Sequence, residues 1–188
     1  MNPKNWYKDC SDSIRAEFGT DADLFIDLLA ATSPRKQISA NWRLAMRIYH
    51  VWKTQYNWVW KISGIFPSSD NLMQGTLPAH RPNIIRALCR QPLQGNKVKA
   101  FAANLKGDYE QVTIDAWMCR YFNHKGTLSN RQYKEYADSI RHTAKAAGYE
   151  PAEWQAIIWH KMIEQSGKRP RSYLSAKDRN QMFFEFYF

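Results

Sequence analysis

Residues 84–122 read IIRALCRQPLQGNKVKAFAANLKGDYEQVTIDAWMCRYF, and this stretch decides the fold. Its apolar residues recur at helical spacing on both sides of the break Gln91-Pro92-Leu93-Gln94-Gly95. The pattern predicts a helix from about Pro82 to Arg90 and a second from Asn96 to Leu105, with Gly107 closing it. A hairpin between two short helices turns successive backbone N–H groups outward, and such a nest holds a phosphate without reading sequence. Past it, Val112-Thr113-Ile114 reads as a brief extended segment. Asp115 stands where an N-cap belongs, ahead of a helix over Ala116 to Phe122. Lys97 falls in the first turn of the second hairpin helix. The positive end of that helix disfavours its ammonium form, and partial desolvation pushes the same way. A lysine with a lowered pKa can be a nucleophile.

Working outward, helical periodicity continues almost everywhere. Leu24, Phe25, Leu28 and Leu29 fall at helical spacing within Asp21 to Ala31. Ser33-Pro34 is read as opening the next helix, with proline near the first turn. From Ile38, the positions Asn41, Trp42, Ala45, Ile48, Tyr49 and Trp52 form one stripe that is expected to run to about Trp60. Ser63 to Pro78 is rich in glycine, proline and serine and reads as a long loop. His124 to Asn130 is a turn, and Gln132 to Ala147 and Pro151 to Gln165 are two more helices, with Gly167 past the second. The tail, Lys168 to Phe188, begins KRPRSY and ends MFFEFYF. No run alternates with period two, so the expected class is all-α.

The chain has 188 residues, of which 44% are apolar and 14% aromatic, enough for one packed domain and against a disordered tail. Lysine and arginine number 27 against 17 acidic residues, a formal net charge of +10. Such a balance suits a polyanionic partner, nucleic acid first, and equally a soluble protein that merely has a high pI. Cys10, Cys89 and Cys119 are odd in number and far apart, which excludes a disulfide framework and a cysteine-rich zinc or iron–sulfur site. His50, His80, His124, His142 and His160 show no ligand spacing. No metal and no cofactor are expected. The N-terminal residues carry charges throughout and no apolar core, so they do not read as a signal peptide. No apolar run approaches a membrane span. A cytoplasmic location is the expectation.

The central block resembles the helix-hairpin-helix DNA glycosylase superfamily, the group that includes endonuclease III. The matching residues are Gly95, Lys97 and the segment Ile114-Asp115-Ala116-Trp117-Met118-Cys119-Arg120, with Asp115 eighteen residues after Lys97 as in the bifunctional members. Upstream, Ala31-Thr32-Ser33 through Ile38-Ser39-Ala40-Asn41 and Ala45 resembles the family's early helix. Downstream, Glu153-Trp154-Gln155-Ala156-Ile157-Ile158-Trp159 stands where the family has its late helix. The resemblance covers roughly residues 20–165 and extends to small glycosylase-like proteins of bacteriophages, including those tied to hypermodified bases. Three features depart from the pattern: a single hairpin glycine, Ala-Trp after Asp115 where the family has Thr-His, and no four-cysteine cluster.

The resemblance implies a single two-lobed domain over 1–188. One lobe takes about 1–35 plus 130–188; the other takes about 36–129, with the hairpin at 91–96. It implies a glycosylase that excises a damaged or modified base from double-stranded DNA. Asp115 stabilises positive charge at C1′ and Lys97 attacks C1′, adding AP-lyase activity. Gln94, Gly95, Asn96, Lys99 and Arg120, with Arg35 and Lys36, are the expected DNA contacts; Lys168-Arg169-Pro170-Arg171 is solvated charge or a further backbone track. Trp42, Tyr49 and Trp117 are candidates for the wall of a base pocket. Two other functions fit the same residues: a non-catalytic helix-hairpin-helix DNA-binding protein, and a phage enzyme that processes hypermodified bases. In the last case the compartment is the host cytoplasm.

Overall fold

The structure, a computed structural model, describes residues 2–56 and 70–173. Among the described residues, eight α-helices of six residues or more carry it: α1 (Trp6–Phe18), α2 (Ala22–Thr32), α3 (Ile38–Val51), α4 (Arg81–Leu88), α5 (Asn96–Lys106), α6 (Ala116–Tyr121), α7 (Asn130–Ala147) and α8 (Pro151–Gln165). Among the described residues there is no strand, and the class is all-α. The sequence signals act where expected. Gly107, at φ 103°, ends α5 in the left-handed region that side chains avoid. Ser129 and Gln132 form a capping box at the start of α7. Helix α1 is an addition to the elements read from the sequence. Its Trp6, Tyr7, Cys10 and Ile14 share one buried face.

Two buried cores organise these helices, and α2 explains the first. Nine of its eleven residues are buried, so it is apolar nearly all round and has to be surrounded. It packs against α1, α3, α4 and α5, with Phe25, Ile26, Leu28 and Leu29 fully enclosed. The second core joins Val112, Ile114 and Met118 to Ala137 and Ile140 of α7 and Ile158 of α8. Helix α8 serves both, since Ala152 and Ala156 belong to the first. Because α2 must be wrapped on all sides, α3, α4 and α5 share its core.

The start of α3 also differs from expectation. Ser33-Pro34 does not open it; Ser33 closes α2, its amide and its hydroxyl both donating to the Ala30 carbonyl (3.2 and 2.9 Å). Arg35 then turns the chain with φ 59°, and α3 begins only at Ile38. His80 pins this turn. It is fully buried, accepts from the Leu77 amide at Nδ1 (3.3 Å) and therefore donates from Nε2 to the Pro34 carbonyl (2.8 Å). Burial holds its pKa below the ordinary histidine value. The stripe on α3 ends at Val51 and passes into a π-helical turn, Trp52–Tyr56. Its expected continuation to Trp60, the loop from Ser63 to residue 69, and the tail from Leu174 lie outside the described residues. The rest of that loop holds a helical turn, Asp70–Met73, and a 3-10 turn, Pro78–His80. No described helix is long and apolar enough to cross a membrane.

Candidate functional site

The hairpin between α4 and α5 is built around Asn83. Its carboxamide clasps residue 94 from both sides, accepting from the Gln94 amide (2.7 Å) and donating to the Gln94 carbonyl (3.0 Å). Gly95 follows at φ 85° and ψ 132°, a conformation open to glycine alone, and takes the N-cap position of α5. No side chain caps the helix there, so its first N–H groups face outward. Gln94, Gly95, Asn96 and Lys99 are all exposed on this surface. A helix N-terminus presented in this way is a ready anion site.

One turn in from the hairpin, Lys97 points the other way. It lines a cavity of about 480 Å³ at the seam between the two cores, within the span of roughly 300–1,000 Å³ usual for ligand pockets. Its ammonium donates to Ser33 Oγ (2.8 Å) and lies 5.9 Å from the centre of the Phe101 ring. Burial lowers its pKa; the negative charge of Asp115 opposes that shift and does not cancel it.

Asp115 lines the same cavity. Three donors converge on it: the amides of Trp117 (2.9 Å) and Met118 (3.0 Å) at Oδ1, and the Trp159 indole N–H (3.0 Å) at Oδ2. Capping α6 and facing the cavity are thus one arrangement. The segment that delivers Asp115 is braced by Tyr133, whose hydroxyl accepts from the Ile114 amide (3.1 Å) and donates to the Val112 carbonyl (2.8 Å). Burial pushes the Tyr133 hydroxyl up to about 12, so it remains a donor throughout the neutral range.

Aromatic rings and cations make up much of the remaining wall. Trp6, Tyr7, Trp117, Trp159 and Tyr173 line it, as do Lys36, Lys168, Arg169 and Arg171. Two cations lie over the Trp117 ring, the Arg120 guanidinium 4.1 Å and the Lys168 ammonium 5.6 Å from its centre. The strap 168–173 is tied down at Arg171 and Tyr173. The Trp6 indole donates to the Arg171 carbonyl (3.1 Å), and Asn41 donates to the Tyr173 hydroxyl (2.8 Å).

Of the residues singled out in the sequence, Lys36, Lys97, Asp115 and Trp117 meet in the cavity, and Lys168, Arg169 and Arg171 join its wall. Arg120 is exposed beside it, and Arg35 is exposed on the Ser33–Lys36 turn. Trp42 and Tyr49 do not line it. Trp42 is 3% exposed and packs edge-on against Phe25 (4.9 Å between centroids) in the first core. Tyr49 packs on Phe18 (5.2 Å) and donates to Asp21 (2.9 Å). Sequence reasoning missed Ser33, Tyr7, Gln155 and Trp159 as site residues. Only Ser33 carried a usable signal, as a small hydroxyl residue in a turn; the others reach the cavity through tertiary contacts.

The chain belongs to a family described as one of unknown function, DUF7178, whose family model matches residues 1–166. No curated protein and no solved structure matches it.

Proposed function

We propose that this protein is a DNA glycosylase of the two-lobed helix-hairpin-helix type, with AP-lyase activity, acting on a damaged or modified base in cytoplasmic DNA, the host's cytoplasm for a viral chain. One observation carries the reading: a desolvated Lys97 and the carboxylate of Asp115 line one cavity, directly behind an exposed, uncapped hairpin. The hairpin amides and Lys99 hold the DNA backbone. The target nucleotide leaves the stack and enters the cavity among its aromatic side chains. As the glycosidic bond lengthens, positive charge grows at C1′ and Asp115 stabilises it. The deprotonated form of Lys97, which burial favours, attacks C1′ through its amine, and the base departs with the bonding pair and gains a proton. The amine loses a proton, and opening of the sugar ring gives the Schiff base.

One observation favours a second reading, a non-catalytic DNA-binding protein on the same scaffold: both oxygens of Asp115 are already bonded within the fold. A phage enzyme acting on hypermodified bases differs from the first reading only in the occupant of the pocket. The test is incubation with duplexes carrying different modified bases in the presence of borohydride. A covalent adduct that disappears in Lys97→Gln is expected. Specific binding with neither adduct nor released base for any duplex overturns the enzyme in favour of the binder.

A further inference from the structure

Behind the cavity lies a group of buried polar side chains. Asn104, fully enclosed on α5, donates from Nδ2 to Thr113 Oγ1 (3.3 Å). Both residues also face the Tyr7 hydroxyl. Tyr7 donates its own proton to Gln155 Oε1 (2.7 Å). Burial raises the Tyr7 pKa far above the neutral range, so the phenol proton is present at every working pH. That proton needs an acceptor, and the Gln155 carboxamide is the group within hydrogen-bond distance. This fixes the otherwise ambiguous Gln155 carboxamide with its oxygen toward Tyr7.

The consequence falls on Gln155 Nε2. Gln155 is 3% exposed and lines the cavity, and among the described residues nothing accepts from its amide nitrogen. Unlike Asn104 Oδ1, which is sealed off and unpartnered, that nitrogen is not closed off from the cavity space. A donor at the cavity wall favours an occupant that brings an acceptor and disfavours one that brings a second donor.

We propose that Gln155 is the specificity-determining residue of the cavity, donating from its locked amide to a ring carbonyl oxygen and so selecting oxo bases of the uracil and hypoxanthine kind over their amino counterparts. This rests on the nucleobase-binding part of the function proposed above and not on catalysis. A carbonyl accepts from Gln155 Nε2. An exocyclic amine at the same place sets donor against donor and leaves two groups unpaired. Donor pairing of this kind discriminates by roughly tenfold or more.

Two matched pairs of free nucleosides differ by that exchange: deoxyuridine against deoxycytidine, and deoxyinosine against deoxyadenosine. They are titrated into the full-length, ¹⁵N-labelled protein, and the Gln155 side-chain amide resonances are followed. Deoxyuridine and deoxyinosine are expected to shift those resonances and to bind roughly tenfold tighter than their partners. Gln155→Glu, which accepts where glutamine donates, is expected to reverse the preference. Gln155→Met, of similar length and without a donor, abolishes it. Melting curves of both variants verify folding, and the wild-type titration stands even if one variant fails to fold. Equal binding of the partners within each pair, or no shift at Gln155 with any nucleoside, overturns the proposal. A preference that reverses in Gln155→Glu while no duplex ever yields free base upholds this inference and removes the glycosylase. Base release with a preference indifferent to residue 155 does the opposite.

Discussion

Replacing Asp115 by asparagine separates the structural and chemical roles of one carboxylate. The cap survives, because the asparagine oxygen still accepts from the Trp117 and Met118 amides. The second oxygen becomes an NH₂ facing the Trp159 indole N–H, formerly bonded at 3.0 Å. Losing a hydrogen bond to a charged acceptor costs about 1.5–3 kcal/mol. Losing negative charge at the start of α6 costs about 0.3–1 kcal/mol more. Asp115 is half-buried, which pulls the total toward the lower end, about 2 kcal/mol. Urea denaturation reads this as a midpoint lowered by about 1 M, given slopes of about 1–3 kcal/mol/M. In a Trp159→Phe background the same substitution loses no indole bond, so a double-mutant cycle should return a coupling of about 1 kcal/mol. On a cognate duplex, base release should fall by about a hundredfold or more while DNA affinity holds or rises. The coulombic support that Asp115 gives to the Lys97 ammonium also disappears, so the pH profile of borohydride trapping should move to lower pH. An unchanged urea midpoint, or a zero coupling with Trp159, refutes the structural part. Equal base release by wild type and variant refutes the catalytic part.

Other expected outcomes follow from the same geometry. Lys97→Met removes a desolvated charge from the cavity wall, so it should raise the melting temperature while eliminating trapping; a lower melting temperature contradicts the desolvation. Gly95→Ala has open space for its Cβ but a φ of 85°, so about 1–3 kcal/mol of strain should loosen the hairpin. Affinity for duplex DNA should then drop, measured by fluorescence anisotropy. Lys99→Ala should weaken binding equally for all sequences and reduce the slope of log K against log salt by about one. His80 and His160 both have pKa values held below the ordinary 6.5 by burial, so the unfolded chain binds more protons as pH falls through that value. Stability should therefore be full at pH 8 and decline below about pH 6.5 in calorimetry, and His80→Gln should flatten part of that decline.

What the sequence made legible was local. The α4–α5 hairpin, the cap at Asp115 and the end of α5 at Gly107 each follow from residues within a few positions of one another, where backbone sterics and capping chemistry act directly. The stripe on α3 was legible as a stripe, but periodicity does not say what fills the groove opposite. Trp42 and Tyr49 face α2 because α2 is apolar on nearly every side and takes up the available aromatic surface. The start of α3 was misplaced because proline after serine fits a helix opening and a helix exit equally well. His80, 46 residues away, decides the matter by bonding the Pro34 carbonyl. The cavity wall was the least legible part. Tyr7 and Gln155 are 148 residues apart and Trp6 and Arg171 are 165 apart, contacts that no local pattern encodes.

The strap 168–173 also sets a time at which the site can exist. Chains are made from the amino end at about 5–20 residues per second, and amino-terminal parts fold first. The first core can gather much of its apolar surface once α5 has been synthesised, and the second once Ile158 has emerged. The cavity wall still lacks Arg171 and Tyr173 at that stage, with the Trp6 indole N–H and one of the two Asn41 amide protons without their acceptors. A nascent chain paused before Tyr173 therefore holds an assembled hairpin over an unfinished chamber. On the function proposed above, the surface meant for DNA is complete before the wall of the cavity is.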